Sequence, residues 1–464
     1  MRKWFCCMGA LLLTLSVFGR YGGEVRLDRR DGRYKVGDTI TCRVKLTRNG
    51  EALKGTKARV TFKFEGKTIK SEEFSTTGRM VNFTYVADKP GWVYFGFEVL
   101  GKNGKPLRGK NVCRHPAKPT IVTEIGAVIE PETFLAGAKR PEDFEAFWAA
   151  RRAELDKVPI KPVVKPLKIE MAEIRERKIR GISKKDLDKI KVYEVVIPAV
   201  GEHPVQGYLA IPVGAKPKSC HVYIDWSSWS ASDASLDAPL KHAKNGDIGF
   251  SPTWHGRPIH KGASWYNYKT TITGIDGGMV GIEDRDTWCF GFMYYRVMRA
   301  LDYVKTLPEW DGKNLISVGG SLGGAQSTAA AALDKDVTMA VIMNPCFCEF
   351  DGAASGRTGS IPRGPGREGA KLPAALKAQS YYDCVNFAPM IKCPVFISTG
   401  GTDELCPPSN VFAVFNALPE ATKAKSQMFF NPAVGHYGQI NASANPRIRK
   451  LLDSVVINPY DDKH

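Results

Sequence analysis

Apolar and polar residues alternate along much of residues 20–120. An apolar side chain at every second position is typical of a β-strand with one buried face, because successive side chains point to opposite sides. Asn-Gly pairs at residues 49–50 and 103–104 are typical hairpin turns. The alternating apolar positions are Ile40, Cys42, Val44 and Leu46; Val60, Phe62 and Phe64; Val81, Phe83 and Tyr85; and Val93, Phe95, Phe97 and Val99. About five to seven short strands over this length predict an all-β, immunoglobulin-like sandwich domain. Its role is packing, forming one wall of a cleft, or binding carbohydrate.

The pattern changes after a linker at residues 116–131, where apolar runs of strand length begin to alternate with helical segments. A helix begins near Pro141, since proline is tolerated in a first helical turn and acidic residues follow it. Strands are predicted at 191–198, 204–212, 220–226, 248–251, 315–318, 339–343, 395–399 and 427–431, and helices at 238–245, 292–307, from about 325, at 409–418 and at 446–455. This alternation predicts an α/β domain over residues 121–464, with a doubly wound, mostly parallel sheet covered on both faces. Residues 355–371 are a glycine-rich insertion without regular pattern, which on an enzyme is usually a lid or rim.

A glycine-rich turn joins the strand at 315–318 to an alanine-rich helix. Its sequence, Gly319-Gly-Ser-Leu-Gly323, fits Gly-x-Ser-x-Gly, in which the serine occupies a sharp and strained turn. Flanking glycines let strand and helix approach, so the hydroxyl stands at the carboxyl edge of the sheet and at a helix N-terminus. Ser321 is therefore the candidate nucleophile, and a purely structural glycine turn is the alternative.

A serine hydroxyl becomes a good nucleophile when a histidine accepts its proton and an acid orients that histidine. In α/β-hydrolases the acid and then the histidine follow the serine, on loops after later strands. His436 follows the last predicted strand and is the candidate base; a surface histidine is the alternative. Asp403 follows the strand before it and is the candidate acid, unless it only caps a helix. Glu404 and Asp351 are weaker candidates for the same role.

The oxyanion of an acyl-transfer reaction needs backbone N–H donors. Leu322, directly after the candidate nucleophile, is one predicted donor, and Trp229, in the loop after the strand at 220–226, is the other. Aromatic residues are dense between residues 226 and 288. Sugar rings stack well on aromatic faces, so these residues favour a saccharide ester as substrate, although several of them must pack in the core. The predicted substrate-binding residues are Trp226, Trp254, Trp265 and Trp288.

Composition excludes several classes of function. The chain has 464 residues and a formal net charge of +18, but its lysines and arginines are spread out, without an RNA-binding signature or a recognition-helix pattern. A basic solvated surface is the simplest reading, and attraction to anionic polysaccharide or cell envelope is the sharper one. No paired cysteine spacing typical of a zinc site is present, so neither a metal nor a cofactor is predicted.

The first residues have the pattern of a targeting segment. Two basic residues precede an apolar run at 8–18 and a small-x-small cleavage pattern, which predicts a signal peptide over residues 1–19. The apolar run is too short to span a bilayer. A secreted or periplasmic protein is predicted, with no membrane span and with its oligomeric state left open. Export permits disulfides, and a bridge between Cys42 and Cys113 is left open.

The motifs together resemble those of the acetyl xylan esterase and cephalosporin-C deacetylase family of α/β-hydrolases. The resemblance spans roughly residues 130–460, in consistent order. It implies a catalytic triad of Ser321, Asp403 and His436 and the removal of acetyl groups from acetylated sugars. The matching pieces are Arg140-Pro-Glu-Asp-Phe-Glu-Ala-Phe-Trp148, Asp284-Arg-Asp-Thr-Trp288, Leu307-Pro-Glu-Trp-Asp311, Gly319-Gly-Ser-Leu-Gly-Gly324, Asp403-Glu-Leu-Cys-Pro-Pro-Ser409 and Gly435-His436.

The chain departs from the family pattern around the pocket. His255-Gly-Arg257 stands for the usual Arg-Gly-Gln, Leu322 for a glutamine, Tyr437 for a glutamate, and Ser227-Ser-Trp229 for a His-Gly-Tyr oxyanion loop. The sequence therefore predicts a serine esterase acting on acetylated poly- or oligosaccharides. Another hydrolase on this scaffold, such as a uronoyl esterase or a peptidase, and a non-catalytic saccharide-binding protein are the alternatives.

Overall fold

The structure is a computed structural model that describes residues 20–108, 119–229, 233–261, 265–266, 280–361 and 372–436. The predicted signal peptide, the helix predicted at 446–455 and Cys113, one half of the bridge left open above, lie outside the described residues. Within the described ranges, no helix is both long and apolar enough to cross a membrane.

The N-terminal part of the chain folds into two sheets that enclose a common core. Their strands are β1 (Tyr21–Leu27), β2 (Arg33–Tyr34), β3 (Thr39–Arg48), β4 (Glu51–Ala52), β5 (Lys54–Phe64), β6 (Lys67–Thr77), β7 (Val81–Val86), β8 (Gly91–Val99) and β9 (Ile121–Ile129). One sheet has the order β1-β3-β4 with β7 also paired to β3, and the other has the order β2-β9-β8-β5-β6. Alternate residues of β3 are buried, as the sequence pattern predicts. An immunoglobulin-like topology stays a prediction.

Two features of this sandwich differ from the sequence analysis. Strand β9 pairs antiparallel with β8 and parallel with β2, so residues predicted to be a linker complete the sandwich, which extends past residue 120. Strand β8 is buried along both of its faces instead of alternating. The reason is that one face packs in the sandwich, whereas Trp92 and Tyr94 on the other face join the core of the α/β part.

The α/β part is built on a nine-stranded sheet of order β10-β11-β12-β14-β13-β15-β16-β17-β18. Its strands are β10 (Val163–Leu167), β11 (Ile190–Ile197), β12 (Val205–Pro212), β13 (Cys220–Trp226), β14 (Ile248–Pro252), β15 (Trp310–Gly320), β16 (Met339–Met343), β17 (Val395–Gly400) and β18 (Gln427–Asn431). Strands β10, β11, β12 and β14 pair antiparallel in that order. The remaining pairs along the sheet, from β14 through β13, β15, β16 and β17 to β18, are parallel. The sheet is thus mixed, with the parallel part that the alternation of strands and helices predicts.

Helices pack on this sheet, and β16 and β17 are buried along their whole length. The helices are α1 (Phe144–Asp156), α2 (Met171–Glu176), α3 (Lys184–Leu187), α4 (Asp237–Lys244), α5 (Gly291–Val304), α6 (Leu322–Leu333), α7 (Leu372–Gln379), α8 (Cys384–Phe387), α9 (Pro408–Asn416) and α10 (Glu420–Lys423). Helix α6 consists mostly of glycine and alanine. Its small side chains let the helix axis lie close beneath the central strands.

A buried carboxyl lies where the sandwich meets the α/β part. Glu65, in the turn between β5 and β6, is 3% exposed. Its Oε2 accepts a hydrogen bond from Ser409 Oγ at 2.7 Å, and its Oε1 accepts one from the Trp92 backbone N–H at 2.6 Å. Burial raises the pKa of Glu65 from 4.5 to about 7, although these hydrogen bonds and Arg357 oppose the shift and Glu349 adds to it.

The stability of the protein should therefore depend on pH through Glu65. A carboxyl whose folded-state pKa is raised contributes stability that is complete below its unfolded pKa of 4.5 and is lost as pH rises through about 7. Glu65→Gln does not titrate. We expect wild type to lose roughly 3 kcal/mol of unfolding free energy relative to Glu65→Gln between pH 4.5 and 8. Denaturant unfolding of both proteins across this range, with exposed Glu73→Gln as control, measures the difference; parallel curves would contradict it.

Candidate active site

Ser321 lies at the sharp turn between β15 and α6. Its backbone has φ 57° and ψ −118°, a positive-φ conformation that residues other than glycine rarely adopt. The turn is held by two backbone hydrogen bonds, from Ser321 N–H to Met343 O at 2.9 Å and from Cys346 N–H to Ser321 O at 3.1 Å. A Cβ at position 319 would lie 2.0 Å from Gly323 O, so only glycine fits there. The strained angle thus places the hydroxyl at the carboxyl end of the central strands.

The structure brings together the three side chains singled out as a possible triad. His436 Nε2 lies 2.9 Å from Ser321 Oγ, and His436 Nδ1 lies 2.8 Å from Asp403 Oδ2. Asp403 follows β17 and His436 follows β18, neighbouring parallel strands whose carboxyl ends meet at one edge of the sheet. The distances fit a neutral imidazole that donates from Nδ1 to the carboxylate and accepts the serine hydroxyl proton at Nε2.

Asp403 is held in place by its own loop. Its side chain is fully buried, and Oδ1 accepts hydrogen bonds from the Leu405 and Cys406 backbone N–H groups, each at 2.9 Å. Two donors on one oxygen leave the other oxygen aimed at the imidazole. These hydrogen bonds stabilise a carboxylate charge. That charge lies beside the imidazole, where an imidazolium would form during the reaction.

The two other carboxylates considered in the sequence lie elsewhere. The Glu404 side chain forms an ion pair with Lys63 of the sandwich. Asp351 caps a short 3-10 helix at Gly352–Ser355, where it accepts from the Ala354 N–H at 3.3 Å. Of the three candidates, Asp403 is the one hydrogen-bonded to His436.

Asn344 supports the histidine and was missed by the sequence analysis. It follows β16 with φ 39°, and its Nδ2 donates to the His436 backbone oxygen at 2.8 Å. The side chain is fully buried. An asparagine just past a buried strand indicates a polar contact at the edge of the sheet, but the sequence does not reveal which loop the side chain bonds.

The two predicted oxyanion residues lie on different segments, and Leu322 directly follows the nucleophile. Leu322 is the first residue of α6 and is fully buried. Trp229 follows β13. The centre of its ring lies 5.1 Å from that of Phe290 and 6.4 Å from that of Phe347. The segment that carries Trp229 is tied to the nucleophile helix by Gln326, whose Nε2 donates to Ser227 O at 2.8 Å. Gln326, a long polar residue among the mostly small residues of this helix, was also missed.

Gln326 therefore offers a test of the oxyanion loop. Gln326→Met keeps the side-chain length but leaves the Ser227 carbonyl without this donor, so the loop should shift. We expect kcat for ester hydrolysis to fall roughly tenfold with KM little changed, since a misplaced oxyanion donor weakens the transition state most. Thr328→Val is the control, because it removes a 2.8 Å hydrogen bond to Gly324 O inside the same helix. Equal losses in both variants would refute a specific effect on the loop.

Most of the tryptophans proposed to bind substrate lie in the core. Trp288 is fully buried among Phe290, Phe347, Phe350 and Tyr382. Trp254 is 3% exposed and Trp226 is 6% exposed, with its Nε1 donating to Ser317 Oγ at 2.7 Å. These three rings are buried in this structure, and their stacking on substrate stays a prediction. Sequence alone does not separate a core tryptophan from a binding one, because both are large and apolar. Trp265 is half-buried beside Tyr266.

Among the described residues, one group has ligand atoms close enough to hold a metal ion. These residues are Asp403, Cys406 and His436, with one atom of each within 4.8 Å of the others. The group includes the carboxylate and the imidazole that bind each other, so a metal here would compete with their hydrogen bond.

Comparison with known proteins shows which family the sequence matches. A sequence profile described as Acetyl xylan esterase (AXE1) matches residues 129–439, about two thirds of the chain. The chain belongs to the acetyl xylan esterase family. The family match begins at the end of β9, so nearly the whole sandwich precedes it.

Individual relatives agree with membership of the acetyl xylan esterase family. The chain is 31% identical over 294 residues to the acetyl esterase Axe7A of Xylanibacter ruminicola. That alignment covers 62% of each protein, so the chain spans less than two thirds of this relative's length. Solved acetyl xylan esterases from Paenibacillus sp. R4 and Thermoanaerobacterium sp. JW/SL YS485 share its fold, with TM-scores of 0.56 and 0.53 at 22% and 18% identity. Each covers 70% of this chain, and 98% and 97% of the respective solved chain is matched.

Proposed function

We propose that this protein is a serine esterase that removes acetyl groups from acetylated poly- or oligosaccharides through an acyl-enzyme. The observation that carries the proposal is the continuous chain of hydrogen bonds from Ser321 through His436 to Asp403, in a member of the acetyl xylan esterase family. Export to the periplasm or the medium belongs to the same proposal and rests on the pattern of residues 1–19.

In the first half-reaction, Ser321 Oγ attacks the acetyl carbonyl carbon while His436 Nε2 accepts the hydroxyl proton. The negative charge that develops on the carbonyl oxygen is bound by the backbone N–H groups of Leu322 and Trp229. The imidazolium is stabilised by the Asp403 carboxylate. The bond between the acetyl carbon and the sugar oxygen then breaks, and His436 returns the proton to that oxygen.

The second half-reaction regenerates the enzyme. Water attacks the acetyl-serine, giving one proton to His436 Nε2, and the tetrahedral intermediate collapses to acetic acid and free Ser321 after the proton returns to Oγ. No further reactant is needed.

Acetate release from acetylated xylo-oligosaccharides tests the proposal, with methyl-glucuronate esters and peptides as competing substrate classes. We expect acetate release to exceed hydrolysis of either competitor, and a fluorophosphonate to label Ser321 as located by peptide mass spectrometry. Faster cleavage of the uronate ester would reassign the substrate. Saccharide binding without labelling or turnover would indicate a non-catalytic binding protein.

A further inference from the structure

The sandwich contacts both loops that carry the acid and the base. Trp92 in β8 donates from its indole Nε1 to Gly401 O at 2.7 Å, and Gly401 lies two residues before Asp403. The backbone N–H of Gly126 in β9 donates to Pro432 O at 2.8 Å, in the segment that leads to His436. Two adjacent sandwich strands thus each bond one of the two loops.

The contact is too close to be adjustable. Trp92 is 1% exposed, and a Cβ at position 126 would lie 1.9 Å from Gly401 O, well inside contact distance. Any side chain at position 126 would have to displace the Gly401 carbonyl or the strand. The glycine at position 126 is therefore required by the close approach of the two backbones.

The two loops are also bonded to each other, so that displacing one moves the other. Gly401 N–H donates to Asn431 O at 2.8 Å, and Thr402 N–H donates to Val434 O at 3.2 Å. The far end of the acid loop has its own sandwich contact, the 2.7 Å hydrogen bond from Ser409 Oγ to Glu65. The segment from residue 400 to residue 409 is consequently fixed at both ends by the sandwich.

We propose that Trp92 and Gly126 are positioning residues for Asp403 and His436, so that the sandwich is a working part of the active site. This inference rests on the proposed serine-esterase function. Both residues precede the region 129–439 that matches the family, so the support is a property of this chain's added domain. A shift of about 1 Å in a catalytic group is enough to cost on the order of a hundredfold in rate, so modest displacement of either loop has a measurable effect.

Trp92→Phe tests the inference, because it removes the indole N–H and keeps an aromatic ring. Trp148→Phe is the matched control. Trp148, in α1, is 3% exposed, and its Nε1 donates to the backbone oxygen of Tyr381 at 3.0 Å, a residue outside both loops. Each variant is measured for Tm, for kcat and KM with p-nitrophenyl acetate, and for amide hydrogen exchange in peptides covering residues 400–409. If either variant fails to fold, benzothienylalanine at the same position removes the N–H with nearly unchanged shape.

We expect similar losses of Tm in both variants. Trp92→Phe should in addition lower kcat roughly tenfold with KM within twofold, and should speed exchange of the Gly401, Thr402, Leu405 and Cys406 amides at least fivefold. Trp148→Phe should leave kcat and this exchange within twofold of wild type. Unchanged exchange in Trp92→Phe, or faster exchange with unchanged kcat, would overturn the inference. An inactive wild type would overturn both this inference and the proposed function. An active wild type, with either of the two outcomes just named for Trp92→Phe, would overturn this inference alone.

Discussion

Ser321→Ala should lower kcat for acetate release by roughly 10⁴- to 10⁶-fold. The substitution removes the attacking oxygen, so the remaining turnover comes from water activated by His436 in a site that still binds the oxyanion. The angle φ of 57° at this position already exists in the fold, and alanine accepts it about as well as serine does, so Tm should change little.

The rates are measured as acetate released from acetylated xylo-oligosaccharides and as p-nitrophenyl acetate hydrolysis. Ser380→Ala, which removes a hydroxyl bonded to Lys377 O in another part of the domain, is the control and should retain wild-type kcat. Fluorophosphonate labelling should vanish in Ser321→Ala and persist in the control. Retention of more than a tenth of the wild-type kcat in Ser321→Ala would disprove the proposed nucleophile.

Asp403→Asn should be the second most damaging change, with kcat reduced roughly 10⁴-fold. The asparagine oxygen can still accept from the Leu405 and Cys406 N–H groups, which turns its NH₂ group toward His436 Nδ1. Nδ1 must then accept a hydrogen bond, so the imidazole proton moves to Nε2. An Nε2 that carries a proton cannot take one from Ser321, and the nucleophile stays a neutral hydroxyl.

Glu404→Gln separates this effect from a general loss of acidity in the loop. Glu404 is adjacent to Asp403 but pairs with Lys63, so its kcat should fall less than tenfold. The comparison uses steady-state kinetics at one pH, with Tm recorded for each protein. A large loss in Glu404→Gln together with a small loss in Asp403→Asn would move the acid role to Glu404.

Much of the α/β part could be predicted from local sequence. Strands β13, β16 and β18 occur at the predicted residues, because short apolar runs between turn residues have few other solutions. The order of serine, acid and histidine along the chain located the three side chains that the structure brings together. These features depend on short segments and on the order in which they follow one another.

What escaped prediction depends on contacts between distant segments. Strand β9 was read as a linker because its partners, β2 and β8, are fixed by the sandwich and not by its own sequence. Trp288 is predicted to bind substrate, but Phe347 and Tyr382 from two other segments, together with nearby Phe290, enclose it. Asn344 and Gln326 are single polar residues whose partners, His436 and Ser227, are set by tertiary structure.

Trp92, Tyr94 and Val128 of the sandwich share one continuous core with Phe134, Trp148 and the helices of the α/β part. Separating the chain at the boundary between the two parts would therefore expose buried apolar surface on both: an aromatic patch on the sandwich and an open cavity on the α/β part. A design that shortens this protein or exchanges its N-terminal domain therefore cannot separate the chain where the two parts meet, because their core is shared. Any transplanted module would have to bring a tryptophan and a glycine in the same relative places.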